Sequence, residues 1–194
     1  MAGSNAPLIG VLALQGDFEA HEKVVSALGC DTARVRTPAG LDGIDGLIIP
    51  GGESTTMTLG IEREGLAAPV QEAVKAGLPV LGTCAGLIMA DRNHLGLIDI
   101  VAERNAFGRQ VHSFEAGLDI AGISGPVTAV FIRAPWIAEH GPSVEILAEV
   151  DGHAVAARSG AVTVISFHPE ITGEDRIHAA WLAEVREAAT RRAA

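Results

Sequence analysis

Pro79-Val80-Leu81-Gly82-Thr83-Cys84-Ala85-Gly86-Leu87-Ile88-Met89-Ala90 carries three signals in one short run. Pro79 to Leu81 reads as a short buried strand, and Leu87 to Ala90 restarts the chain as a helix. Between them Gly82 and Gly86 stand two residues before and two after Cys84. G-x-C-x-G in a strand–turn–helix setting is the cysteine form of the nucleophile elbow. The central residue sits in a tight, strained turn, and the flanking glycines let strand and helix approach closely. The helix start beneath Cys84 favours a thiolate, and the Ala85 N–H points where an oxyanion would form. The competing reading is a buried, inert cysteine in a glycine-rich turn, the same reading that fits Cys30.

Outward from the elbow, the first half alternates strands and helices. Leu8-Ile9-Gly10-Val11-Leu12-Ala13-Leu14 is apolar throughout, which suits a strand covered on both faces. Gln15-Gly16-Asp17 turns the chain, with Asp17 as a candidate N-cap. Phe18, His21, Val24, Val25 and Leu28 recur at helical spacing, and Gly29 closes that helix. Thr32 to Val35 and Gly46 to Ile49 follow as strands, and Leu66 to Ala76 as a helix ended by Gly77. Such alternation predicts a parallel sheet with right-handed crossovers. The second half reads as strands at 125–132, 144–150, 153–158 and 161–167, with hairpin-type turns at Asp151-Gly152 and Ser159-Gly160. A final helix over Asp175 to Ala189 places Ile177, Ala180, Trp181 and Val185 on one face. The expected fold is α/β, a mostly parallel central sheet flanked by helices, with an antiparallel extension.

Composition narrows the function. The chain has 194 residues, 48% hydrophobic and 20% charged, which suits one folded domain over 1–194. Residues 1–7 and 187–194 are expected to be flexible ends. Lys+Arg 14 against Asp+Glu 24 leaves a net charge of −10, which repels phosphate backbones and anionic membranes. Aromatic residues are 4% with no Tyr, too few for stacking on single strands. No apolar run approaches the ~18 residues of a spanning helix, and the start lacks a signal-peptide pattern. Nucleic acid and membrane are therefore poor partners. Two cysteines far apart fit a reduced, cytoplasmic protein better than a disulfide framework.

A thiol nucleophile needs a base. His168 ends the strongly β-patterned Val162-Thr163-Val164-Ile165-Ser166-Phe167, and sites in α/β folds gather at strand carboxyl ends. Glu170 lies two residues on, with Pro169 keeping the chain extended, so it faces the same way and can orient the imidazole. His21, His112 and His178 fall within element patterns, and His94, His140 and His153 in or near turns, so none is assigned a role. Neither cysteine has a partner at metal-ligand spacing, so no metal is expected. In Ile48-Ile49-Pro50-Gly51-Gly52-Glu53-Ser54, the two glycines allow a peptide flip that would aim the Gly52 N–H into an oxyanion hole opposite Ala85. Taken alone, that stretch reads better as an ordinary strand-ending turn. Arg104-Asn105-Ala106-Phe107-Gly108-Arg109-Gln110 and Phe131-Ile132-Arg133-Ala134-Pro135 set guanidinium groups beside apolar strands. They suit a substrate carboxylate or plain solvation alike.

Taken together, Gly-Thr-Cys-Ala-Gly, His-Pro-Glu and Pro-Gly-Gly-Glu-Ser resemble the class I, triad-type glutamine amidotransferases, whose sheet is flavodoxin-like. The stretch 10–17, Arg104 to Gln110 with Ser113-Phe114-Glu115, and 131–135 narrow the resemblance to the glutaminase subunits of pyridoxal 5′-phosphate synthases. The similarity runs from about Ile9 to the last helix and departs at Ala90-Asp91-Arg92-Asn93, which looks short for the family. It implies a Cys84–His168–Glu170 triad and an oxyanion hole from Gly52 and Ala85. Gly52, Glu53, Ser54, Arg104, Ile132 and Arg133 would then hold L-glutamine. It also implies no cofactor and a synthase partner in a large hetero-oligomer that receives the ammonia. Against it stand another cysteine hydrolase on a similar frame and a non-catalytic glutamine-binding assembly subunit.

Overall fold

The structure is a computed structural model that describes residues 6–104 and 113–193. Its parallel half holds β1 (Leu8–Leu12), β2 (Asp31–Val35), β3 (Gly46–Ile49) and β4 (Val80–Thr83). Helices α1 (Phe18–Ala27), α2 (Ser54–Glu64), α3 (Ala67–Lys75) and α4 (Ala85–Ala90) connect or follow these strands. The later half adds β5 (Ile100–Glu103), β6 (Ser113–Leu118), β7 (Val127–Ile132), β8 (Trp136–His140), β9 (Glu145–Val150), β10 (His153–Ser159) and β11 (Val162–Ile165). Helix α5 (Arg176–Ala193) closes the described chain.

The main sheet has the order β2-β1-β3-β4-β11-β10-β8-β5, with β9 also on β10, and β6-β7 forms a separate ribbon. Pairing is parallel from β2 through β11 and antiparallel from β11 onward. The expected mostly parallel sheet with an antiparallel extension is thus observed. Strand β11 is the seam. It lies parallel to β4, with Ile165 opposite Thr83, and antiparallel to β10.

Alternation along the strands fills both faces. Leu47, Ile49 and Val80 pack with Met57, Ile61, Val70, Leu87 and Met89 of the helices on one side. Ile9, Val11, Ile48 and Leu81 pack with Trp181, Leu182 and Val185 of α5 on the other. At the β11 end, Phe167 meets Phe131 at 5.4 Å, and Phe131 stacks on Phe114 at 4.6 Å, which seats the β6-β7 ribbon beside the seam.

Several local expectations shift. The first strand stops at Leu12 rather than Leu14. Asp17 precedes α1 but makes no side-chain cap. Helix α2 grows straight out of the Pro-Gly-Gly-Glu-Ser turn, because the Glu53 carboxylate accepts from the Thr55 and Thr56 N–H groups. The Asp151-Gly152 hairpin turn is present, with φ of 51° and 77°, whereas the next turn uses Gly160-Ala161. In α5 Ile177, Trp181 and Val185 are buried but Ala180 is exposed, and Leu182 takes its place in the core. The stretch after 186, expected as a loose end, supplies the last turns of α5 through Ala193. Residues 1–5 and 105–112, including Arg109 and His112, lie outside the described residues. Among the described residues no helix is long and apolar enough to cross a membrane.

Candidate active site

Cys84 sits between β4 and α4 with φ 48° and ψ −105°, a backbone state that side chains rarely adopt. Its N–H donates to the Ile165 carbonyl at 2.8 Å, which pins the turn to β11. The glycine spacing has a direct steric cause. A Cβ at Gly86 would collide with the Ile49 carbonyl, and one at Gly82 would lie 2.8 Å from the Gly86 carbonyl oxygen. The thiol is buried and lies 3.9 Å from the Ile132 carbonyl oxygen. Ala85 opens α4, so its N–H has no acceptor within that helix. Cys30 lies elsewhere in the core, where burial pushes its thiol up.

His168 follows β11, and its backbone N–H donates to the Val130 carbonyl at 2.9 Å, which brings the β7 end alongside. Its Nδ1 is 2.7 Å from Glu170 Oε1. Both side chains are buried. Burial by itself would push the imidazole down, but hydrogen bonds with Cys84 and Glu170, and the charge of each, raise it to about 10. Because Glu170 occupies Nδ1, Nε2 is the nitrogen left for the thiol. At neutral pH this ring holds a proton.

Cys84 and His168 open onto a cavity of about 620 Å³ whose walls include Gly52, Glu53, Ser54, Ala85, Arg104, Ile132 and Arg133. Every site residue read from the sequence therefore lines one cavity except Glu170, which lies behind His168. Arg104 Nη1 donates to Ser54 Oγ at 3.4 Å. Arg133 adopts φ 47°, the same left-handed region as Cys84, so two of the three strained non-glycine residues among those described face this cavity.

Glu53 is differently employed from what its position suggests. Its carboxylate accepts from the Thr56 hydroxyl at 2.8 Å and from the Thr55 and Thr56 N–H groups, which holds it down at about 2. The Glu53 N–H donates to Gln15 Oε1 at 2.7 Å. A Cβ at Gly16 would collide with the Gly51 carbonyl, and one at Gly52 with Gln15. The loops after β1 and β3 are thus interlocked at the backbone. Asp17, free of capping, joins the cavity wall with Ile88 and Pro135, three residues not assigned to the site from the sequence.

His21 and His178, which have no role on sequence patterning, stand far apart in the chain, yet the fold brings them together behind Glu170. His94 instead bonds Asp91 at 2.8 Å, and His153 stacks on Trp136.

This geometry has known counterparts. Residues 11–187 match the SNO glutamine amidotransferase family. The chain belongs to that family. It is 47% identical to the pyridoxal 5′-phosphate synthase subunit PdxT of Mycobacteroides abscessus, over 93% of this chain and 98% of the relative. It is also 47% identical to the protein of that name from Cutibacterium acnes, over 94% and 98%. A solved glutamine amidotransferase superposes with a TM-score of 0.87 at 41% identity, covering 91% of this chain and 98% of that one. The solved PurLQS of Thermotoga maritima, at 16% identity and a TM-score of 0.74 over 92% of this chain and 98% of that one, shares the fold.

Proposed function

We propose that the chain is the ammonia-producing subunit of a cytoplasmic pyridoxal 5′-phosphate synthase, and that Cys84, His168 and Glu170 hydrolyse L-glutamine. The observation that carries this reading is a strained cysteine beside a carboxylate-bound imidazole, at the mouth of a cavity that holds two arginines.

Cys84 Sγ attacks the side-chain amide carbon, and the oxyanion that forms is held by the N–H groups of Gly52 and Ala85. The C–N bond breaks as His168 gives its proton to the departing nitrogen, which releases ammonia and leaves a glutamyl thioester. Water then attacks the thioester while His168 takes its proton. Glutamate leaves and the cysteine is restored. Glu170 keeps the Nδ1–H of His168 bonded throughout, so that Nε2 is the nitrogen that gives and takes the proton. Arg104 and Arg133 hold the substrate's carboxylate end, and Ile132, Ser54 and the Glu53 backbone shape the remaining wall. Relatives named as synthase subunits support a second component that consumes the ammonia, with which this chain builds a large hetero-oligomer.

Free ammonia is wasteful, so hydrolysis should await the acceptor. The interlocked loops after β1 and β3 give a route by which docking could set the Gly51–Gly52 peptide. Ammonia release from glutamine should therefore rise at least about tenfold when the matching synthase subunit is added, a change of only ~1.4 kcal/mol in barrier. Full turnover without synthase would overturn the switch. Hydrolysis that survives Cys84→Ala would overturn the whole reading.

A further inference from the structure

The side of Glu170 away from His168 is a buried cluster of its own. His21 on α1 and His178 on α5 are both fully shielded from solvent. His21 Nδ1 lies 2.9 Å from His178 Nε2, so one of these nitrogens donates and the other accepts. His21 Nε2 lies 3.1 Å from Thr83 Oγ1 and 3.6 Å from Glu170 Oε2. Among the described residues, neither Glu170 Oε2 nor His178 Nδ1 has a hydrogen-bond partner.

Burial keeps both rings neutral, with each carrying a single N–H. Only two arrangements satisfy the pair. In one, His21 donates from Nδ1, which leaves the His178 proton on an unpartnered buried Nδ1. It also turns the bare lone pair of His21 Nε2 toward the Glu170 carboxylate. In the other, His178 donates from Nε2 to His21 Nδ1, and the His21 proton sits on Nε2, between Thr83 and Glu170. The first orphans a donor and sets two lone-pair sites against each other; the second leaves only a bare acceptor. The second arrangement wins on both counts.

We propose that His21 is a positioning residue for catalysis: its Nε2–H fixes the outer oxygen of Glu170 and the Thr83 hydroxyl, and His178 sets the tautomer that makes this possible. The inference rests on the Cys84–His168–Glu170 reading. The inner oxygen of Glu170 holds His168, so fixing the outer one fixes the carboxylate plane and hence the imidazole. Thr83 immediately precedes the nucleophile. One small donor thus ties the elbow strand, by a hydrogen bond at 3.1 Å to Thr83, to the loop that carries the carboxylate, by an electrostatic contact at 3.6 Å to Glu170.

Amide variants separate this role from packing, because a Gln side chain places its N–H near the ring's Nε2 and an Asn near its Nδ1. In the complex with synthase, His21→Asn should lower kcat for glutamine hydrolysis at least about tenfold, the size expected for one lost hydrogen bond to a charged group, with KM unmoved. His21→Gln should recover most of that loss. Likewise His178→Leu should fall and His178→Gln should regain most of the deficit. Equal rates for Asn and Gln at position 21, or a folded His21→Asn with full kcat, overturn the proposal. If the His21 variants do not fold, the His178 pair decides alone, with equal rates for Leu and Gln counting against it. Cys84→Ala runs alongside: residual hydrolysis there rejects the triad reading itself, whereas an inactive Cys84→Ala beside an unaffected His21→Asn rejects only the role of His21.

Discussion

Glu170 turns one oxygen to each of two buried histidines, and the two rings are pushed in opposite directions, one toward the protonated form and one toward the neutral. In front, His168 lies 2.7 Å from Oε1 and is raised to about 10. Behind, His21 lies 3.6 Å from Oε2 and is held well below its ordinary value, while its neighbour His178 drops to about 4. Burial pushes all three down. What separates them is company. His168 bonds a carboxylate at 2.7 Å and faces the Cys84 thiol, whereas His21 bonds a hydroxyl and a second neutral ring and meets the same carboxylate only at 3.6 Å. A buried imidazole keeps its proton only when its partners are ionic. The fold thus places its positive charge at the cavity wall and keeps the scaffold behind the carboxylate neutral.

Removing the front ring should have the largest effect. His168→Asn is expected to cost on the order of 10⁴-fold or more in ammonia release, while Glu170→Ala leaves measurable activity, since an orienting group contributes less than the base. A Glu170→Ala enzyme slower than His168→Asn would invert the roles drawn for the two sides.

Next comes the rear pair, through stability rather than rate. His178 titrates near 4 when folded and near 6.5 when unfolded, so in this range the unfolded chain binds a proton that the folded one refuses. Stability should therefore fall as pH drops through 6.5 toward 4, by roughly 3 kcal/mol from this group, with His21 acting in the same direction. His168 works the other way: its contribution is full below 6.5 and is lost as pH rises through about 10. Denaturant unfolding from pH 7 to 4 should show a shallower acid loss in His178→Gln than in the parent chain. Parallel pH curves would place a charged, not neutral, ring behind Glu170.

The smallest effect sharpens the front side alone. Arg104→Ala or Arg133→Ala should raise KM for glutamine about tenfold with a lesser change in kcat. A pure kcat loss in both would move these arginines from binding to chemistry.

The elbow was legible because two glycines at fixed offsets around a cysteine suit a close strand–helix approach, and the Gly86–Ile49 contact shows that approach. His168 and Glu170 were legible because an extended chain puts alternate residues on one side. Helix α2 was not, since Ser54 to Glu64 has little apolar periodicity and depends on the Glu53 cap for its start. Glu53 caps α2 and Asp17 leaves α1 uncapped, while both line the cavity: one line of sequence does not say whether a carboxylate before a helix will cap it. The rear histidines left no local trace at all, because α1 and α5 are far apart in the chain and only the finished fold brings them together.

The seam at β11 also bears on how the enzyme is made. Cys84 is synthesised once β1 to β4 are made, whereas β11, which pairs β4 and whose Ile165 carbonyl pins the elbow, and then His168 come only after β10. That pairing closes a long loop and belongs to the slow, non-local part of folding. On the proposed triad, a nascent or arrested chain therefore carries a nucleophile with no base, and ammonia production would begin only when the last strand has joined the sheet.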